Sequence, residues 1–328
     1  MSYQPPYTIT PKILQHVADS VAVLTRWQIS SQATLTPQLR RNNRIRTIQA
    51  SLAIENNSLS IDQVTAVLDG KPVLGLPREI QEVRNAFAAY EQLPKWKADS
   101  EVDCLTAHGF LMAGLVDEAG CYRNSGVGIY NNQTLVHTAP PASRVSALMA
   151  DLLSWLASNA VHPLIASCVF HYEFEFIHPF ADGNGRMGRL WQTLILSQWQ
   201  PLLAYLPVES IVRDRQAAYY QALADADNLA NSTPFIEFML QALLDALTEA
   251  LAKTSGKVSE KVSVKASEKT SEKILGLIGE NSLITIADLA LLIGVTERSI
   301  ERNLKKLQQD QRLSRNGSAK SGCWEVIK

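Results

Sequence analysis

The sequence predicts a mainly α protein: a helical body interrupted by one short β-hairpin, followed by a C-terminal winged helix-turn-helix domain. Three observations carry this expectation. Apolar residues recur on a period near 3.6 through most of the first 252 positions, and only residues 126–141 read as a strand pair. The last 55 residues, 274–328, read instead as short helices followed by a hairpin. The charge divides at the same place: residues 253–328 hold 14 basic and 9 acidic side chains (net +5), which leaves 17 and 23 (net -6) for residues 1–252. A mildly acidic body and a mildly basic tail suggest modules with different partners.

In chain order, 13–27 is an amphipathic helix with Pro11 near its start, and 35–54 is a second that breaks after Asn56–Asn57. A short helix begins near Ile61 and stops at Gly70; further helices are expected over 77–93, 100–119, 141–159, 161–176, 186–199, 208–225 and 232–252. Residues 126–141 supply a strand, an Asn-Asn turn, a strand and a proline stop. Lysine then recurs at every fourth position from Lys253 to Lys273, with serines between. Val, Ser and Thr filler has low helix propensity and little apolar area, which favours a solvated linker over a functional basic stripe. Beyond it, 271–280 is helical, Thr285 and Asp288 cap a helix over 286–292, Gly294 turns, and Thr296 opens a helix over 297–309. Residues 312–317 and 322–327 complete a hairpin. The expected organisation is 1–100, 101–252, a linker over 253–273, and 274–328.

With 46% hydrophobic and 19% charged residues, wholesale disorder, collagen and a porin barrel are excluded. A net charge of -1 gives no protein-wide attraction to nucleic acid or membrane. Cys104, Cys121, Cys168 and Cys323 lack staple or zinc spacing, so four reduced, mostly buried thiols in a cytoplasmic protein are expected. The N-terminus shows no secretory pattern. The uncharged run 190–208 contains Gln192, Gln198, Gln200, Pro201 and Pro207, which mark a buried helix and a turn rather than a membrane span.

Residues 178–189, HPFADGNGRMGR, concentrate the chemistry. Gly183 and Gly185 flank Asn184, so backbone amides can turn to one point beside a helix N-terminus, an arrangement suited to an anion. Arg186 and Arg189 are three apart and share one side of the first turn, suited to separate phosphates. Asp182 is placed to hold Mg²⁺ through phosphate oxygens and water, and His178 to take a proton from an attacking hydroxyl. The ordinary alternative is an interhelical turn with a capping aspartate and two solvated arginines. No Walker A lysine sequence or strand-led GxGxxG occurs.

This string resembles the signature of the Fic family (Fic/Doc superfamily), HPFxxGNGRxxR, at every fixed position. The resemblance implies a Fic-type helical core, from roughly 35 to 225, and transfer of AMP from ATP to a Ser, Thr or Tyr hydroxyl of a protein. It implies His178 as general base, Asp182 as magnesium ligand and Phe180 as loop anchor. Gly183, Asn184 and Gly185 would cradle phosphates and Arg186 and Arg189 would bind the β and γ positions, with Met187 and Gly188 inside the same motif. Phosphorylating relatives usually carry lysine at the second motif glycine, so Gly185 argues for nucleotidyl transfer.

Residues 51–56, SLAIEN, resemble the family's inhibitory pattern, which implies that Glu55 pairs with Arg189 and displaces it from the γ-phosphate; a capping or structural Glu55 is the alternative. The hairpin resembles the family's flap, and Ile129, Tyr130, Thr134, Leu135 and Val136 would then pair with an extended target segment. Tyr219 and Tyr220 resemble the helix near the adenosine pocket, against the alternative of a core-and-rim pair. His171 and Glu175 lack the HExxH pattern of a zinc site, and His108, His137 and His162 fall into no constellation. The expected partners are ATP, Mg²⁺ and a target protein, with room for a homodimer and for weak or indirect DNA contact through the tail, and no membrane. Two other functions stand beside a self-inhibited AMP transferase: a nucleotide-sensing DNA-binding regulator, and the same site removing AMP.

Overall fold

The computed structural model describes residues 3–31, 36–126, 128–131, 134–158, 160–316 and 323–327; the side chains of 31, 128–138 and 255–269 are outside the description. The chain forms two compact units, 1–252 and 253–328.

In the first unit the helices follow the apolar periodicity: α1 (Pro11–Ser31), α2 (Pro37–Ile54), α3 (Ile61–Leu68), α4 (Pro77–Gln92) and α5 (Glu101–Met112), then α6 (Ala142–Ala157), α7 (Pro163–Ile177) and α8 (Asn184–Trp199). Local chemistry sets many boundaries. Thr36 caps α2 through the Leu39 amide, with Pro37 at the first position, and Ser60 and Gln63 close a capping box on α3. α5 stops well short of the expected 119, because Ala113 leaves helical dihedrals and Gly114 takes a φ of +68°. The helix expected over 208–225 is two, α9 (Val208–Asp214) and α10 (Gln216–Leu229), separated by a break at Arg215 (φ -119°, ψ 33°).

α7 and α8 form the centre of this unit. Leu164, Cys168, Val169, Phe170 and Phe174 of α7 and Met187, Leu190, Trp191 and Leu194 of α8 are buried, and the Trp191 indole donates to the Ala98 carbonyl at 2.8 Å. One apolar cluster runs from Ile13 to Leu247, so the N-terminal helices share a core with α7 and α8. The hairpin pairs β1 (Gly128–Asn131) with β2 (Thr134–Thr138) antiparallel, with a register irregularity between Ile129 and Tyr130. The rest of the expected Asn-Asn turn, Asn132 and Gln133, lies outside the described residues.

In α11 (Thr233–Glu280) the backbone is helical through 253–273, the segment expected to be a solvated linker. Low propensity at the Val, Ser and Thr positions is a weak prior, and helical neighbours on both sides override it. Phe235, Ile236, Leu240 and Leu247 are core residues of the first unit, and Ile274 and Ile278 of the second.

In the second unit, Thr285 and Asp288 make the expected capping box on α12 (Ile286–Ile293), Gly294 ends it at a φ of +78°, and Thr296 caps α13 (Glu297–Gln309). β3 (Leu313–Asn316) pairs antiparallel with β4 (Cys323–Val326), and the Arg315 guanidinium lies 4.6 Å from the Trp324 ring centroid. Among the described residues, no helix is long and apolar enough to cross a membrane. Cys104 and Cys168 are buried, whereas Cys121 is exposed and Cys323 half-buried, so the thiols are less uniformly internal than expected.

Candidate active site

α7 ends at His178, which adopts a left-handed backbone (φ 49°, ψ 60°) while its N–H bonds the Phe174 carbonyl at 2.9 Å. Its half-buried ring lies with Nδ1 3.4 Å from the Glu175 carbonyl. The chain then dives inward at Phe180, which is fully buried and stacks face to face on His108 with ring centroids 3.7 Å apart. Asn184 fastens this loop by a reciprocal pair, accepting from the Phe180 N–H and donating to the Phe180 carbonyl, both at 2.9 Å. Its side chain is therefore committed to the loop, and only its backbone N–H remains for an anion. Gly183 turns into α8 at a φ of +87°, where a Cβ would stand 2.7 Å from the Met112 sulfur.

The first intrahelical bond of α8 is from Met187 N–H to the Gly183 carbonyl, so the amides of Asn184, Gly185 and Arg186 precede the ladder at the positive end of the helix dipole. Both motif arginines add cations there. Three carboxylates answer them.

Arg189 is 2% exposed and donates from Nη2 to Glu55 Oε1 at 2.7 Å, from Nε to Ser51 Oγ at 3.0 Å and from Nη2 to the Ser51 carbonyl at 3.0 Å. Burial by itself would lower its pKa, but the Glu55 carboxylate leads the interactions that hold it above the usual arginine value. Glu55 caps the C-terminal end of α2, where the dipole disfavours a negative charge, so Arg189 supplies the compensation. Glu55 Oε1 rests where a Cβ on Gly185 would be.

Arg186 is 6% exposed and donates from Nη2 to Asp182 Oδ1 at 2.9 Å and from Nη1 to Glu82 Oε1 at 3.3 Å; among the described residues its Nε finds no hydrogen-bond partner. The other Asp182 oxygen accepts from Arg78 at 3.0 Å, and Glu82 Oε2 accepts from Asn57 at 2.9 Å. Arg78 and Glu82, both on α4, have no signal in the sequence beyond a spacing of four on a helix.

Two imidazoles are coupled electrostatically to these arginines. His108 accepts the Gly120 N–H at Nδ1 (2.8 Å) and so donates from Nε2 to the Asp182 carbonyl (3.0 Å); burial first, with Arg186 adding to it, pulls it down to about 4. His171, fully buried, faces Gln192 Oε1 at 2.8 Å and the Tyr219 hydroxyl at 3.1 Å, and burial with a contribution from Arg189 pulls it down to about 3. Both are neutral at pH 7, and His108, placed in no constellation by sequence, props the loop that carries Asp182.

The remaining motif positions divide. Met187 is fully buried, and Gly188 is where a Cβ would lie 2.9 Å from both Glu175 Oε1 and His171 Cδ2, so both serve packing. Tyr219 is 2% exposed with its hydroxyl on His171, whereas Tyr220 is 44% exposed, the core-and-rim arrangement that stood as the alternative for this pair. The side chains of Ile129, Tyr130, Thr134, Leu135 and Val136 are outside the described residues; their backbones form the hairpin. Among the described residues no group of three or more His, Cys, Asp or Glu is placed to hold a metal, so a cation at Asp182 would depend on ligands brought by a substrate. Arg123, 3% exposed, was not singled out by any sequence pattern, and it binds the carbonyls of His178 and Pro140.

A family model described as Fic/DOC family matches residues 98–196, and one described as winged helix-turn-helix DNA-binding matches 267–312. The crystal structure of a Fic family protein from Desulfovibrio desulfuricans G20 is 53% identical, with a TM-score of 0.77, over 99% of this chain and 98% of that one. A structure of Fic-1 from C. elegans shares the fold at 23% identity (TM-score 0.60), covering 74% of each chain. Protein adenylyltransferase fic-1 of Caenorhabditis briggsae is 32% identical over 58% of this chain, and Protein adenylyltransferase Fic of Aedes aegypti 30% over 60%. The matched segments span 38% and 39% of those two proteins, about two fifths of their length.

Proposed function

Because the chain belongs to the Fic family, we propose that residues 178–189 transfer AMP from ATP to a Ser, Thr or Tyr hydroxyl of a protein, and that Glu55 restrains this activity from within the chain. The observation that supports the reading most directly is the 2.7 Å pair between Glu55 and Arg189. A guanidinium held at a helix N-terminus, beside a glycine that leaves room for an anion, is a phosphate ligand in every respect except that a carboxylate occupies it.

In the transfer, an Nδ1–H tautomer of His178 directed at the Glu175 carbonyl leaves Nε2 to accept the proton of the attacking hydroxyl. The hydroxyl oxygen bonds the α-phosphorus in line, the bond to the bridging oxygen breaks, and pyrophosphate leaves with the electron pair. Backbone amides of Asn184 and Gly185 and the guanidiniums of Arg186 and Arg189 neutralise the leaving group, while the Gly183 amide is held by Asp182 Oδ1 at 2.6 Å. Asp182, 40% exposed, fits Mg²⁺, which asks for one or two carboxylates beside phosphate oxygens and water. Bound there, the ion supplies charge neutralisation on the phosphates. Tyr220 borders the adenosine, and the hairpin accepts an extended target segment by strand addition.

A second reading rests on the 34% exposure of the Glu55 side chain, which would let the same carboxylate orient water for removal of AMP. For the tail we propose protein contacts or dimerisation with weak DNA contact, since Arg298, Arg302, Lys305 and Lys306 are exposed on α13 but share it with Glu297 and Glu301. The deciding experiment incubates wild type and Glu55→Gly with α-labelled ATP and Mg²⁺, alone and in host lysate. Label transferred more strongly by Glu55→Gly supports the reading; no label from either protein overturns it. Loss of AMP from a premodified target on adding wild type would favour the reverse reaction.

A further inference from the structure

Arg123 is a buried cation solvated by carbonyls. Its Nε donates to the His178 carbonyl at 2.7 Å, Nη1 to Ser125 at 2.8 Å, and Nη2 to Pro140 at 2.6 Å and Ile177 at 3.3 Å, while its own N–H bonds the Pro179 carbonyl at 2.9 Å. Only 3% of the residue is exposed, and burial lowers its pKa. An ion-pair partner would be the ordinary arrangement for so buried a guanidinium. The positions of these carbonyls give the reason for the exception. Ser125 precedes β1 and Pro140 follows β2, so two bonds hold both feet of the hairpin; the bonds to Ile177 and His178 and the one from the Arg123 amide hold the turn that presents the imidazole.

That turn needs holding. A non-glycine residue at a φ of 49° is disfavoured, and such a conformation persists only where the surroundings over-determine it. The N–H of His178 is fixed by Phe174 and its carbonyl by Arg123, so both ends of the strained unit are tied.

We propose that Arg123 is a positioning residue that locks the hairpin to the His178 turn, so that a hydroxyl carried by a strand-added target and the imidazole that deprotonates it share one frame. The proposal rests on the AMP-transfer reading for its functional half. A five-donor planar fork is what the task requires: a lysine ammonium at this position would reach one or two of these carbonyls and leave the others unpaired.

The test uses full-length Glu55→Gly protein with and without Arg123→Lys or Arg123→Gln. Hydrogen exchange is followed at the hairpin and at 178–180, ATP affinity by calorimetry, folding by thermal melting, and AMP transfer at saturating ATP. Expected for Arg123→Lys are a cooperative melt, ATP affinity within about twofold, faster exchange in both segments together, and kcat reduced by about 10- to 100-fold, the scale of a displaced catalytic group. Arg123→Gln should be worse in each respect, with lysine giving partial rescue. Faster exchange in only one segment, or a loss of transfer that merely follows ATP affinity or the folded fraction, overturns the proposal. If the Glu55→Gly parent transfers no AMP, the enzymatic reading fails, and the exchange data alone decide whether Arg123 couples the two segments.

Discussion

Arg186 and Arg189 lie in the first turns of the same helix, each is paired with a carboxylate and coupled to a neutral imidazole, yet they are held very differently. Arg189 is gripped by Ser51 and Glu55 through three hydrogen bonds, from a segment 134 to 138 residues away in the chain. Arg186 leans on Asp182, four residues away in its own motif, and more loosely on Glu82, with no partner for its Nε among the described residues. Near-identical cations thus acquire different duties: one is set by a remote helix and suits a lock, while the other is set largely from within the motif and suits a standing part of the anion site.

The largest effect should come from deleting either cation in the unlocked protein. In a Glu55→Gly background, Arg186→Ala and Arg189→Ala should each weaken ATP binding by about 10- to 100-fold, the loss expected for hydrogen bonds to a charged group. Calorimetry that finds one of them indifferent breaks the symmetry of the pair. With both cations present, Glu55→Gly should raise auto-AMPylation at least ~10-fold, and Glu55→Asp should release it only in part. Adding Arg189→Ala should cancel most of that gain, because both changes act through one contact. Intact-protein mass spectrometry reads all three variants. Glu82→Gln, by contrast, keeps a hydrogen-bond acceptor for Arg186 and should shift ATP affinity by no more than about 3-fold. A release as large as that of Glu55→Gly would make Glu82 a second lock.

The smallest effect is thermal. His108 and His171 are pulled down to about 4 and about 3 in the fold and return to ~6.5 when unfolded. The unfolded chain therefore binds more protons below that value, so this contribution is complete above pH ~6.5 and is lost as the pH falls toward the folded values. Differential scanning calorimetry should show a melting midpoint that drops on acidification, and His108→Gln should flatten the slope without abolishing it, since His171 remains.

The different legibility of these parts has a physical origin. Gly183, Gly185, Arg186 and Arg189 are local: their spacing alone places them on one turn, and the resemblance carried by that string extended to Glu55. Arg78 and Glu82 are legible only once α4 is docked, because a spacing of four describes any exposed helical ion pair. Arg123 is less visible still, since its partners are carbonyls that every residue possesses. In the fold, the breaks at Ala113 and Arg215 and the helical backbone of 253–273 escape propensity and periodicity, which are weak where neighbouring structure decides. The side chains of the hairpin, on which the flap expectation depends, lie outside the described residues.

Gly185 has two clients. The space over its Cα receives Glu55, and the amide beneath belongs to the proposed phosphate cradle. A methyl group there would collide with the Glu55 carboxylate and crowd the proposed phosphate cradle in the same stroke, so an alanine at this position would disturb the proposed restraint and the proposed transfer together. The partners of Arg189 in this contact, Ser51 and Glu55, sit at the end of α2, outside the string that forms the proposed cradle. Under the proposed reading, the strength of restraint can therefore be tuned at that helix end without touching the string that would do the chemistry.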